Sequence, residues 1–395
     1  MQGKRWLNRQ ILTISFSAFF ADLGYQMIQA IFPIYLVIAL ASSPLYLGIA
    51  NALAFGGGAL FAYVGGILGD RYSRKWIAVI GSGFILLMSA VGLTMNPIFA
   101  IALFAGGWWG RNMRVAPRRA LLASASDSKN RGKAFGFLHA LDIGGGLLAV
   151  VVLIFMLYLG VSESHIFFIT ALPLLVSTYL LMTLKDVRAK PANNGNGKSK
   201  RARINKRAYN GIILATALYG FSYYSLGFPI LTIAKMSGNS VFGIASYGVY
   251  LGVSAVTGYY IGSRKRMKKI RSLGLLGYML SGVGTFLLAL GYIFNSAIIL
   301  PYIGVAMMGF GLGVIETLEP TIISLMKSGI SGLGKSLGKL SASRSFGIFF
   351  ANLLMGILYV VNPSYSYIYA AVVSISAGII VIAFGRNYDL IYDAS

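Results

Sequence analysis

A chain of 395 residues that is 57% hydrophobic and only 11% charged, with a mean hydropathy of +0.73, carries less than half the charge of a soluble domain, which is about 25% charged. This excludes a soluble enzyme, a disordered chain and an ordinary nucleic-acid-binding protein, and leaves apolar material for about a dozen spans of ~20 residues. The formal net charge is +24; the lack of cysteine and the two dispersed histidines exclude disulfides, thiolate chemistry and a histidine-built zinc site.

Apolar runs between polar or Gly/Pro breaks predict twelve membrane helices. They lie near residues 7–40, 45–68, 76–95, 97–120, 134–160, 165–184, 209–234, 240–262, 272–294, 298–325, 337–361 and 365–384. The ~10-residue alternating segments of a transmembrane barrel do not occur. With the N-terminus inside, the inner segments collect Lys4, Arg5, Arg9, Arg71, Arg74, Lys75, Arg118, Arg119, Lys129, Arg131 and Lys133. They also collect the basic residues from Lys185 to Arg207, those from Arg264 to Arg271, and Lys327, Lys335, Lys339 and Arg386. The outer loops hold only Lys235. That asymmetry predicts a multi-pass protein of the cell membrane with both termini cytoplasmic. Its basic balance then reports contact with an anionic inner leaflet, with no need of nucleic acid.

Residues 186–208 form the one long polar stretch, rich in Asn, Gly and Lys, a composition that cannot bury a core. It reads as a cytoplasmic linker between a six-helix bundle at 1–185 and a second at 209–395. The halves resemble each other: Gly24 and Phe32-Pro33-Ile34 match Gly220 and Phe228-Pro229-Ile230. Gly106, Gly110 and Pro117 match Gly309, Gly313 and Pro320, and Gly132-Lys133 with Gly136 matches Gly334-Lys335 with Gly338. The expected fold is all-α, with twelve helices in two pseudo-symmetric bundles. Parallel repeats of this kind place a solute near the midplane and expose it to each side by rocking, a carrier architecture that suffices as a monomer.

Between the second and third spans, Gly65-Gly66-Ile67-Leu68-Gly69-Asp70-Arg71-Tyr72-Ser73-Arg74-Lys75 resembles the G-x-x-x-D-R-x-x-R-K loop of the major facilitator superfamily. Its counterpart in the second half, Gly262-Ser263-Arg264-Lys265, lacks the acid. Three further segments are similar to a group of prokaryotic drug or metabolite export permeases: Asp22 to Ile28, Gly110 to Leu121, and Arg131 to Gly136 followed by Asp142. The resemblance implies a secondary active transporter working by alternating access. It departs from that group at Gln26, Arg119 and Ala149-Val150, where the group has Glu, Asp and Gly-Pro.

Ionised side chains inside a membrane cost about 2.5–3.5 kcal/mol each at a helix centre, so they are expected in pairs or at working sites. Depth along the helices, at 1.5 Å per residue, brings Arg111 and Arg114 of the fourth span level with Asp142 of the fifth. It brings Glu316 and Glu319 of the tenth towards Arg344 of the eleventh. These couples, with Asp70, Arg71 and Arg74 of the loop, are expected as salt bridges or as a cytoplasmic gate. Asp22 lies ~20 Å into the first span without an obvious basic neighbour. Asp22, Tyr25, Gln26 and Gln29 fall on one helical face. Asp22 and Glu316 are candidates to carry protons. In the superfamily the first, fourth, seventh and tenth spans line the cavity, which makes Tyr25, Gln26, Gln29, Arg111, Arg114, Tyr219, Ser222 and Tyr223 its candidate lining. His139 is expected as an interior hydrogen-bonded residue.

Aromatic, weakly polar walls suit an amphipathic organic solute. The leading expectation is proton-coupled export of such a molecule or drug. The alternative is import of a small anionic solute held by Arg111 and Arg114 at i and i+3. An integral-membrane enzyme or a sensor is the remote third: no nucleophile–base or metal constellation is evident. No catalytic residue, cofactor or metal is expected.

Overall fold

The computed structural model describes residues 7–127, 130–185, 206–263, 270–326 and 333–393. These residues are helical almost throughout, with no strand among them. Eleven helices are long and apolar enough to cross a membrane. They include Arg9–Ala39, Pro44–Arg71, Arg74–Leu93, Glu163–Met182, Tyr209–Ser237, Ile270–Ile293 and Ala342–Val361. The expected fourth span is present as a 29-residue helix, Pro97–Ala125, but Arg111, Arg114, Arg118 and Arg119 make it too polar to count among the eleven. The fifth, eighth, tenth, eleventh and twelfth spans follow as Arg131–Tyr158, Ser240–Ser263, Ile299–Met326, Leu333–Val361 and Pro363–Asp393. Of the linker predicted at 186–208, residues 206–208 belong instead to the helix Lys206–Ser222; residues 186–205 and 264–269 lie outside the described residues.

Helix starts follow ordinary capping chemistry. Asn8 accepts the Ile11 amide at 2.9 Å to open the first span. Asn96, followed by Pro97, accepts the Ile98 and Phe99 amides at 2.9 and 3.3 Å to open the fourth. Such side chains satisfy amides that have no intrahelical partner, and proline at the first position sacrifices none. Ser73 caps the third span at the amide of Trp76, 3.1 Å away.

Contacts group the chain into two units: Met1–Ser42 with Leu53–Ala192, and Ser43–Ala52 with Asn193–Ser395. The first turns of the second span therefore pack with the second unit, where a β-carbon on Gly48 would lie 2.6 Å from the Asn352 carbonyl. Within the first unit the main helix contacts are first on fifth and sixth, second and third on fourth, and third on sixth. Within the second unit they are seventh on eleventh and twelfth, eighth and ninth on tenth, and ninth on twelfth. One packing scheme is built twice.

Backbone contact corrects the register read from sequence. A β-carbon on Gly81 would lie 2.7 Å from the Gly110 carbonyl, and one on Gly311 would lie 2.7 Å from the Gly277 carbonyl. The structural counterpart of Gly110 is thus Gly311, two residues before Gly313. Gly313 turns instead to Thr257 and Ser254 of the eighth span. Glycine spacing recurs often enough in these helices that either match looks acceptable in sequence; only the neighbour decides.

The seventh span is broken. It runs as Lys206–Ser222 and Gly227–Ser237 with residues 223–226 unwound between. A break within an apolar layer stands only where the protein re-satisfies the freed backbone. Here Ser225 N–H donates to Asn352 Oδ1 at 3.0 Å, and Gly227 N–H to Ser225 Oγ at 3.1 Å. The Tyr369 hydroxyl donates to the Phe221 carbonyl at 3.0 Å. Asn352 is held in turn by donating to Ile348 O at 2.9 Å.

Candidate functional site

In the first unit, Asp22 and Tyr25 stand one turn apart and both are buried, at 5% and 1% exposure. The Tyr25 hydroxyl donates to Asp22 Oδ1. Glycine on the fifth span makes room: a β-carbon on Gly145 would lie 3.1 Å from Asp22 Cβ. The expectation that Asp22 has no basic neighbour is overturned. Arg111 Nη2 donates to the Tyr25 hydroxyl at 3.3 Å, and its guanidinium lies over the Tyr25 and Trp108 rings at 5.2 and 5.0 Å. Asp22, Tyr25 and Arg111 form a chain of carboxylate, phenol and cation. Gln26 and Gln29, on the same helix, are half-buried. Trp108 belongs to a packed aromatic group with Tyr25, Phe55 and Phe104.

The expected pairing of Arg111 and Arg114 with Asp142 does not form. Arg118, one turn further along, takes Asp142 at 3.3 Å. Arg114 is turned to the third and sixth spans, where its Nη1 donates to Ser82 Oγ and Ser177 Oγ, both at 3.4 Å. The two arginines expected to hold one anion therefore reach separate partners. Their depth is similar, but side-chain direction sends them to different neighbours.

In the second unit Arg344 reaches both Glu316 and Glu319. Glu319 is fully buried, whereas the Glu316 side chain is 56% exposed. Glu319 also accepts from the Tyr278 hydroxyl and from Thr216 Oγ1 at 3.1 Å. Close by, the broken seventh span borders a pocket of about 10 Å³, space for roughly one water. Its walls include Tyr219, Ser222, Tyr223, Tyr250, Thr285 and Met308, a lining of hydroxyls and rings without a charged group.

The loop residues divide. Arg74 donates from Nη2 to Asp70 at 2.7 Å and approaches Ser124 Oγ at 3.5 Å, while Arg71 is exposed and lies over the Tyr72 ring at 5.5 Å. The glycines before this loop serve the crossing of second and fourth spans: a β-carbon on Gly69 would lie 2.9 Å from Pro117 Cγ. His139, expected in the interior, is exposed.

Sequence reasoning missed Arg118, Tyr278, Thr216 and Asn352 as site residues. Arg118 was readable as an inner-loop cation, and one of 24 tyrosines gives no signal of its own. Among the described residues no group of His, Asp and Glu could hold a metal ion.

These helices, glycine crossings and buried ion pairs are those of a membrane carrier. The chain matches the Major Facilitator Superfamily over residues 14–330, and it belongs to that family. It is 25% identical to an uncharacterized MFS-type transporter of Methanocaldococcus jannaschii, covering 96% of both chains. The fold is shared with a POT family transporter solved with 5-aminolevulinic acid (TM-score 0.78, 10% identity, 98% of each chain). It is shared too with the nucleoside transporter NupG (0.74, 13%, 95% of this chain and 100% of that one). A third is the xylose transporter XylE of E. coli in an inward open conformation (0.71, 13%, 95% of each chain). The protein is a multi-pass membrane protein of a family that moves small molecules.

Proposed function

We propose that the protein is a proton-coupled exporter of a small amphipathic organic molecule, working by alternating access as a monomer in the cell membrane. The observation that carries the coupling is a carboxyl buried in each unit and donated to by a tyrosine: Asp22 with Tyr25, and Glu319 with Tyr278. Glu319 takes the place given to Glu316 in the sequence reading, because Glu316 is half-open to solvent and a carboxyl there is already well solvated. In the second unit two carboxylates share one guanidinium. A proton on Glu319 balances that group and frees Arg344 to stay with Glu316 alone, a two-position element of the kind a coupled cycle needs. Arg118–Asp142 and Arg74–Asp70 then serve as the inner gate and latch.

The uncharged rings and hydroxyls at the seventh-span break, which here enclose space for about one water, would suit an amphipathic solute only in a conformation that opens this pocket. The solutes named for the solved relatives, 5-aminolevulinic acid, nucleosides and xylose, differ too widely to choose among. The anion-import reading loses its support, since Arg111 and Arg114 do not converge.

The test is flux in proteoliposomes carrying a trapped pH dye, with ethidium as the amphipathic probe. Wild type is expected to move protons when ethidium is added under an imposed pH gradient. Asp22→Asn and Glu319→Gln should each abolish gradient-driven flux but keep ethidium counterflow. Gradient-driven flux unchanged in both variants rejects the coupling role. The orientation has its own check, because the chain contains no cysteine: of single cysteines at Lys133 and Lys235, both exposed, the one at Lys235 should react with impermeant maleimide on whole cells and the one at Lys133 only after the cells are permeabilised.

A further inference from the structure

The carboxyl buried in the second unit is held from three spans. Arg344 of the eleventh, Tyr278 of the ninth and Thr216 of the seventh all donate to Glu319. The charged and titratable groups that face it are Arg344, Tyr278, Glu316 on its own helix and Tyr219 of the seventh span. Tyr223 faces Arg344, and Tyr250 of the eighth span faces both seventh-span tyrosines. Of the three donors, Tyr278 stands on the least regular backbone. It lies in Leu273–Met279, which is wound as a π-helix. Such winding puts an extra residue into the turn and occurs frequently at functional sites. It also shifts side chains around the helix axis, so the direction of the phenol depends on what holds the segment from outside.

The twelfth span supplies that hold. One turn to either side of Tyr278, a β-carbon on Gly274 would lie 3.0 Å from the Gly378 carbonyl, and one on Gly282 would lie 3.0 Å from the Ala371 carbonyl. Ser374 sits between these two backbone contacts. It is 2% exposed and donates from Oγ to the Tyr278 carbonyl at 2.7 Å. The first unit uses the corresponding place differently. Ser82 follows Gly81 as Tyr278 follows Gly277, the glycines of the shared crossing. A hydroxyl of the sixth span, Thr178 Oγ1, lies 3.2 Å from Ser82 Oγ, and Ser82 faces Arg114. The sixth and twelfth spans thus each set a hydroxyl against the residue after the crossing glycine, and in the second unit that residue holds a carboxyl. Ser374 is also a wall of the pocket at the seventh-span break.

We infer that Ser374 is a positioning residue for Glu319: by fixing the Tyr278 carbonyl it fixes the phenol on the carboxyl, and with it the pH at which Glu319 exchanges a proton. The placement of the phenol stands on the geometry alone; its consequence for transport rests on the proton-coupling reading above.

The test combines infrared spectroscopy of the reconstituted protein with the pH profile of gradient-driven ethidium flux. The phenol C–O stretch of Tyr278 is identified by its loss in Tyr278→Phe, and in Ser374→Ala that band should move. The midpoint of the flux profile should shift in Ser374→Ala by about half a pH unit or more, in the direction that Tyr278→Phe shifts it. In the Tyr278→Phe background Ser374→Ala should add nothing. A hydroxyl that merely ties two helices together would leave band and midpoint in place and lower the melting temperature equally with Tyr or Phe at 278. Should Ser374→Ala fail to fold, Ser374→Cys, a weaker donor of similar size, is read in its place. An unmoved band, or a midpoint shift that persists in the Tyr278→Phe background, overturns the proposal. A moved band in a protein whose flux is indifferent to Glu319→Gln keeps Ser374 as the holder of Tyr278 and rejects the proton-coupling reading instead.

Discussion

The two units build one packing scheme and charge it oppositely. Arg118 lies eight residues after Gly110, and Glu319 lies eight after Gly311, the glycines that occupy the same crossing. Arg118 reaches Asp142 on the fifth span and Glu319 reaches Arg344 on the eleventh, so the couple is preserved with its signs exchanged. The surroundings are not preserved. Among the described residues, Arg114 of the first unit reaches serine hydroxyls and no carboxylate within ion-pair distance, whereas in the second unit Glu316 and Glu319 share Arg344. A carboxylate can be discharged by a proton, whereas a guanidinium stays charged at any ordinary pH. Equivalent positions thereby acquire different work: the second unit is suited to switching and the first to holding.

The largest test of that contrast is to remove one cation from each couple. Arg344→Gln leaves Glu319 buried and unpaired and should cost about 3–5 kcal/mol, whereas Arg118→Gln should cost roughly 1–3 kcal/mol, because the Asp142 side chain is 24% exposed and reaches water. Thermal unfolding in detergent ranks the pair, and the reverse order would break the contrast. Gly81→Leu and Gly311→Leu test the shared crossing. Each should destabilise by about 1–3 kcal/mol or more, since the added side chain meets backbone. Gly83→Ala, with nothing within 4 Å of the new β-carbon, should shift stability by less than about 0.5 kcal/mol.

A finer comparison uses the tyrosines. Tyr25→Phe and Tyr278→Phe each remove one donor to a buried carboxyl and should cost about 1–3 kcal/mol, with the Glu319→Gln background reducing the second effect in a double-mutant cycle. The smallest effect belongs to the loop. Asp70 is 67% exposed in its ion pair with Arg74 across the turn at residues 72–73, so Asp70→Asn should change stability by no more than about 0.5 kcal/mol. A substantially larger loss would give the loop a structural part that its exposure does not suggest.

Much of this molecule was legible before any coordinates. Hydropathy and the placement of basic residues are properties of each segment alone, because the membrane tests every helix separately for length, apolarity and flanking charge. The chain itself therefore determined the all-helical class, the approximate count of spans, the family and the pairing of Glu316 and Glu319 with Arg344. The partners of Arg111, Arg114 and Arg118 were not legible. The three span two turns of one helix, about 10 Å in depth, and within that range the choice among them turns on a rotation of some tens of degrees about the helix axis. That rotation is fixed by Gly81 and Gly110 meeting backbone to backbone, a contact between residues distant in sequence. Depth is written along one helix, but partnership depends on which face two helices turn to each other, and only the packed structure decides that.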